Sequence, residues 1–442
     1  YKYENVGNPE IEVGGKFRKL RWNYSFTPPL FTDIYSLNSD FKAPSIHIVP
    51  LFFKYGEAGS FASWQSFGNW IFRLNKNKDK LTEEERQRVD NMVKNTDSQR
   101  EKVKILYRYL QDYTRYINVS IQLGGLQTYP ASYVCNHKYG DCKALTNYLQ
   151  SMLKYIGIKS YYTLIDAGTK IPKFDADFPS QTFNHVILTV PLEQDTVFLE
   201  CTDKNIPFGY MGTFTQGRKA LLVDENDSQL IDIPALQPEE VLSSRTINIK
   251  PDSKEIQVTE NQKGYKYEFF NYAVKELGKD KLDNIVRGEI FAGNAELIEY
   301  AFHPTDRQSP EINLNARYSV TNIYKEYGNN LILPPFPIKV KDFEKPAQRT
   351  TGVQIDYPEF YMDTIIYDIS AKQISHIPEK ISIETDFGKY EISYEQKDNT
   401  LVCHKTILLY AGKYPSERYE EFYQFIQTMK HNEVKNIHIE AL

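Results

Sequence analysis

A cysteine at a helix start, a histidine on a strand and an aspartate just past the next strand are the residues best placed for chemistry. Cys142 closes the run Tyr139-Gly140-Asp141-Cys142 and opens the strongly patterned segment CKALTNYLQSMLKYIGI. A lone cysteine is ordinarily a small buried hydrophobe. At a helix N-terminus, however, unpaired N–H groups and the helix dipole favour the thiolate and can hold an oxyanion. In FNHVILTV, alternation places His185, Ile187 and Thr189 on one strand face. The next strand, DTVFLECTD, ends on Asp203. A hairpin centred on Gln194 sets His185 opposite Asp203, with Cβ atoms about 5 Å apart. A slip of one residue would turn Asp203 to the other face. The set reads as a thiol nucleophile, Cys142, a base, His185, and an orienter, Asp203. The bland alternative is a buried cysteine, a surface histidine and a turn aspartate that never meet.

Other polar residues carry less. Gln127 in GGLQTYP is a candidate oxyanion donor or substrate contact, against a plain loop role. Asn184 is a second such candidate, and replaces Asp203 as orienter if its side chain shares the His185 face. Asn136 stands six residues before the cysteine, where papain-like enzymes carry an oxyanion glutamine, but its surroundings read as helix. Asp175 and Asp177 are too few for a calcium cage. His137 has no partner at ligand spacing, and Cys135 and Cys201 read as packing residues. No metal or cofactor is expected.

These residues need a scaffold. Leu145, Tyr148, Leu149, Met152, Leu153 and Ile156 form a helical stripe, with Gly157 as its stop. Thr82 with Glu85, and Ser98 with Glu101, are capping-box pairs opening two further helices. Trp64, Phe67, Trp70 and Ile71 mark another. KSYYTLIDA is a strand, and the long polar loop 168–182 leads into His185, so it is expected to border the cleft. Residues 1–52 read as strands and extended loops, the end of a β-rich domain. Beyond about residue 236, strand-like alternation dominates, including YKYEFFNYAV. One helical interruption begins near Asp280, and SERYEEFYQFIQTMKHN closes as an amphipathic helix.

The chain has 442 residues, enough for two to four domains. Aromatics reach 14%, with 33 tyrosines, which favours strands. A net charge of -5 gives no footprint for nucleic acid, and no apolar run is long enough to span a membrane. Four cysteines are too few for a disulfide framework and are expected as free thiols. A chain opening on Tyr1 is read as exported, to periplasm or cell surface, with its signal segment already removed.

The segments KYGDCKALTNYLQSMLKYIGI, FNHVILTVPL and FLECTDKNIPFGYMGTFTQGRKALLV together resemble the bacterial multidomain transglutaminase-like proteins. FGNWIF, GGLQTYPASYV and the C-terminal FGKYEISY…KTILLY…YEEFYQFI extend the resemblance over nearly the whole chain. It implies an α+β fold, with a papain-like transglutaminase core at 53–235. The flanking β-rich, sandwich-like domains are then 1–52 and 236–442, the latter with a subdomain break near 345. It implies a triad on Cys142, His185 and Asp203. One departure is Ala144, where the family often carries an acidic residue. The implied activity is acyl transfer at amide bonds through a cysteine thioester, by a peptidase, amidase or transglutaminase acting on peptides or proteins, cell-wall peptides among them. The rival is a non-catalytic binding or assembly protein that uses the same fold for protein or glycan contact.

Overall fold

The structure is a computed structural model and describes residues 1–25, 33–37, 44–119, 125–250, 254–289, 295–304, 307–328, 330–369 and 374–441. The chain divides into two contact units, one of residues 1–32 and 36–234, the other of 33–35 and 235–442.

The first unit is built on a five-stranded antiparallel sheet. Its strands are β1 (Tyr161–Ile165), β2 (His185–Pro191), β3 (Thr196–Leu199), β4 (Lys219–Leu222) and β5 (Gln229–Asp232), in the order β3-β2-β1-β4-β5. Its longer helices are α1 (Trp64–Leu74), α2 (Glu83–Val93), α3 (Gln99–Tyr113), α4 (Ala131–His137) and α5 (Cys142–Tyr155). The stripe read from the sequence is what α5 buries: Leu145, Tyr148, Leu149, Met152 and Leu153 are at most 1% exposed. Their partners include Leu106 and Leu110 of α3 and Leu188 and Val190 of β2. Gly157 ends the helix at φ +77°, a left-handed backbone that suits glycine. There Ile158 N–H reaches Leu153 O at 2.9 Å and Gly157 N–H reaches Lys154 O at 3.1 Å, the Schellman pattern.

Both predicted helix caps form, each as half of a capping box. Thr82 accepts from Glu85 N–H, and Ser98 from Glu101 N–H. The Glu85 carboxylate is drawn instead into the core, where Tyr148 donates to it and Lys138 and Arg88 pair with it. The described part of 1–52 consists of short two-stranded pairs such as Lys2–Glu4 with Ser45–His47 and Glu10–Val13 with Arg18–Arg21.

The second unit centres on an eight-stranded sheet. Its strands are β6 (Leu242–Lys250), β7 (Glu255–Lys263), β8 (Glu296–Pro304), β9 (Glu311–Ser319), β10 (Glu359–Asp368), β11 (Ile381–Thr385), β12 (Gly388–Lys397) and β13 (Thr400–Leu409). The order is β8-β9-β7-β6-β10-β13-β12-β11, antiparallel except where β6 and β10 run parallel. Helix α8 (Tyr419–Glu433) buries Phe422, Phe425, Ile426 and Met429 in the core of this unit.

One strand expectation fails here. YKYEFFNYAV lies in a helix, α6 (Gly264–Glu276), followed by α7 (Lys279–Glu289). Aromatics at 265, 267 and 269 mimic a period of two, but the buried set is Tyr267, Phe270 and Ala273, three apart, and Tyr265 is exposed. Among the described residues, no helix is long and apolar enough to cross a membrane.

Candidate active site

Asp141 starts α5. Its backbone is extended, and its Oδ1 accepts the Ala144 N–H at 2.9 Å. Its second oxygen pairs with Lys143, and both side chains are buried. Cys142 is therefore the first residue of the helix, where the N–H groups of Cys142 and Lys143 have no carbonyl partner within it. Gly140 allows a close approach to the first turn of α5. A Cβ added there would lie 2.8 Å from the Ala144 Cβ, so this contact leaves no room for a longer side chain at either position.

His185 is the first residue of β2, opposite Ile165 of β1. Its Nε2–H donates to Glu200 Oε2 at 2.7 Å. Its ring also lies within interaction range of the Cys142 thiol. Since Nε2 is taken by the carboxylate, Nδ1 is the nitrogen left for sulfur. Glu200 is 6% exposed and fixed from three sides. Thr202 N–H and Thr202 Oγ1 donate to its Oε1 at 2.9 and 2.5 Å, and Tyr107 of α3 donates to its backbone carbonyl at 2.7 Å.

Burial acts on both members of this pair, and is outweighed in each. It would drive the His185 ring toward neutrality, but the Glu200 charge and the hydrogen bonds to Cys142 and Glu200 raise its pKa from 6.5 to about 10. It would push the Glu200 carboxyl up, but the His185 charge and the bonds from His185 and Thr202 hold it below its usual value. The resting site thus holds a His185 imidazolium between the Glu200 carboxylate and the Cys142 sulfur.

The orienting position is where the structure corrects the sequence. Leu188 opposes Leu199, Thr189 opposes Phe198, and Leu192 N–H reaches Asp195 O at 2.8 Å. The turn has two central residues, Glu193 and Gln194, instead of one centred on Gln194. That single-residue slip puts position 202 in register with His185 and moves Glu200, not Asp203, onto its face. The Asp203 carboxylate instead accepts the Asn205 N–H at 2.7 Å in a local turn, and its carbonyl accepts from Gln111.

The remaining candidates have other anchors. The Asn184 amide is paired with both backbone groups of Ala167, at 2.7 and 2.9 Å, and not with His185, whose carboxylate partner is Glu200. Gln127 donates to Leu74 O at 2.6 Å and ties its loop to the end of α1. Asn136 is exposed on α4, and His137 sits on Tyr133. Asp175 pairs with Lys2, and among the described residues no cluster of His, Cys, Asp and Glu could hold a metal. The loop 168–182 does reach the Cys142 side. Trp64 donates to Ala176 O at 2.7 Å and stacks on Phe174, within the cluster that holds Cys142.

Sequence reasoning missed Glu200, Thr202 and Tyr116. Tyr116 pairs in register with Gly140; burial, then the charges of Cys142, Asp141 and Glu200, raise its hydroxyl pKa. A period-two reading of LECTD back from the turn would have found Glu200, had the turn length been known.

All four cysteines are buried free thiols, so burial does not distinguish them, and environment does. Burial pushes the Cys135 and Cys201 thiols up and takes Cys403 to about 12. Cys142 alone sits at a helix start against an imidazolium. Iodoacetamide at neutral pH followed by peptide mapping is expected to label Cys142 first. Equal labelling of Cys135 or Cys403 would contradict this.

A cysteine at a helix start beside a carboxylate-held histidine on an antiparallel sheet is the arrangement expected of a papain-like thiol site. Residues 86–188 match the family model of the transglutaminase-like superfamily, a span that includes Cys142 and His185 and stops short of Glu200. The first unit thus carries a transglutaminase-like domain. Residues 329–439 match a domain of unknown function with solved structure. The fold is similar to a crystal structure from Parabacteroides distasonis ATCC 8503, recorded as a "putative protease". That likeness has 12% identity and a TM-score of 0.58, covering 100% of this chain and 69% of that one. No curated protein matches the chain.

Proposed function

We propose that the chain is a thiol-dependent acyl transferase acting on amide bonds of peptides or proteins, with Cys142 as nucleophile, His185 as acid and base, and Glu200 as orienter. One observation carries the reading: the His185 ring is hydrogen-bonded to the buried Glu200 carboxylate and interacts with the Cys142 thiol. The Cys142 thiolate attacks the amide carbon, and the oxyanion is met by N–H groups at the start of α5. The C–N bond breaks as imidazolium gives its proton to the leaving amine. The thioester is then opened by water or by a second amine, whose proton returns to His185 while sulfur leaves as thiolate. Water makes the protein a peptidase or amidase; an amine makes it a transglutaminase. A non-catalytic role would not require a buried carboxylate held by two Thr202 donors solely to orient one histidine.

The test is a peptide library offered with and without a labelled primary amine, to wild type and to Cys142→Ala. Products that disappear in Cys142→Ala support the reading, and amine incorporation selects transamidation. Equal product from both proteins would refute it.

A further inference from the structure

The first unit holds a cavity of about 470 Å³, whose lining does not include Cys142 or His185. Its walls are the end of α1, the turn after it, the outer stripe of α5, the approach to β1 and the loop after β4. This volume falls in the small-molecule range of roughly 300–1,000 Å³.

Two buried hydroxyls on its lining are unsatisfied. Tyr162 is 5% exposed, and its Oη, beside the Asn75 amide and within electrostatic reach of Cys142 and Asp141, makes no hydrogen bond of normal geometry. Ser160 Oγ, two residues earlier on the same wall, is likewise buried without a partner. A buried hydroxyl left unpaired costs about 1–3 kcal/mol, so two in one cavity point to something that bonds them. Across from them, α5 presents Asn147 and Gln150. Asn147 gives its N–H to Lys78 O and Tyr129 O, and Gln150 gives its N–H to Ser160 O. Each keeps its side-chain carbonyl as an acceptor.

The charges cancel. Lys76, Lys154 and Lys159 are set against Asp79, Asp224 and Glu225, and Lys154–Asp79 and Lys76–Glu225 are already paired. Phe72, Tyr161 and Val223 add apolar surface. Spare acceptors beside hydroxyls call for a ligand that both donates and accepts. A phosphate or carboxylate only accepts, and would meet the two amide oxygens unfavourably.

We propose that this cavity is a binding site for a neutral, hydroxyl-rich ligand of one or two sugar rings, separate from the Cys142 centre. Isothermal titration of the full chain tests it. The probes are glucose, N-acetylglucosamine, cellobiose and chitobiose, with glucuronate, inorganic phosphate and triglycine as contrasts. At least one neutral sugar is expected to bind, equally in wild type and Cys142→Ala, so the result is independent of the acyl-transfer reading. Tyr162→Phe and Ser160→Ala, checked for an unchanged melting temperature, are each expected to weaken it by about tenfold. Ser160→Ala, the smaller change, keeps the test open should Tyr162→Phe misfold. Binding only of an anion or of triglycine, no binding at all, or sugar binding that both variants leave intact would overturn the proposal.

Discussion

Glu200→Gln is expected to lower turnover by about 10²–10⁴-fold, the range for a base that loses its orienting carboxylate. Gln is nearly isosteric, so the fold should survive and the loss should appear in kcat. The basic limb of the kcat/KM profile should move as well. In the wild type His185 holds its proton until about pH 10 because the Glu200 charge, together with the Glu200 hydrogen bond and the neighbouring Cys142, outweighs burial. Without that charge burial is less opposed, the imidazolium titrates lower, and the limb shifts to lower pH. Asp203→Asn should leave rate and profile nearly unchanged, since its carboxylate serves a turn. A Glu200→Gln protein with wild-type turnover, or an Asp203→Asn protein with the large loss, would remove Glu200 from the mechanism. The pair also bears on stability. The His185 contribution, from a raised pKa, is full below 6.5 and gone once pH has risen through about 10. The Glu200 contribution, from a lowered pKa, is full above 4.5 and lost as pH falls through its folded value. Both are complete only between those two ordinary values.

Lys405→Met should destabilise the second unit by about 3–5 kcal/mol, the cost of stranding one member of a buried ion pair. Lys405 and Glu433 are 3% and 1% exposed, and meet at 3.0 Å. Lys405 also donates to Pro335 O at 2.7 Å, and Glu433 accepts from Ile338 N–H at 2.7 Å and Tyr390 at 2.9 Å. The pair thus joins α8, β12, β13 and the segment 335–338. Removing the cation leaves a carboxylate with neutral donors and no solvent. The exposed pair Lys219–Asp232 is the control: Lys219→Met should cost less than about 1 kcal/mol. Urea titration followed by a probe in each unit distinguishes them. A Lys405→Met loss no larger than the control's would show that the pair contributes nothing net.

Much of this was legible in the sequence, because the strongest signals are local. The α5 stripe, its Gly157 stop, the position of Cys142 at a helix start and the His185 strand each depend on a few neighbouring residues. Long-range register does not. Whether Asp203 or Glu200 faces His185 rests on one residue in the turn after Leu192, and Glu193 and Gln194 carry no Gly or Asn signal to fix its length. The α6 error has a similar origin. Dense aromatics satisfy periods of two and three over a short window, and tertiary burial of Tyr267 and Phe270 decides. Glu85 shows a third limit: a residue at the capping-box position was claimed by buried partners distant in sequence.

The parallel pairing of β6 with β10 has a kinetic consequence. Leu242 registers with Phe360 and Ile249 with Tyr367, so the middle of the eight-stranded sheet cannot close until more than a hundred intervening residues are available. Such contacts bear the loop-closure entropy before they return any stability. The first unit draws its central sheet from strands between residues 161 and 232, joined by nearer partners. On refolding, the thiol site is expected to assemble first, while the edges of β6 and β10 remain open and prone to pairing with other chains.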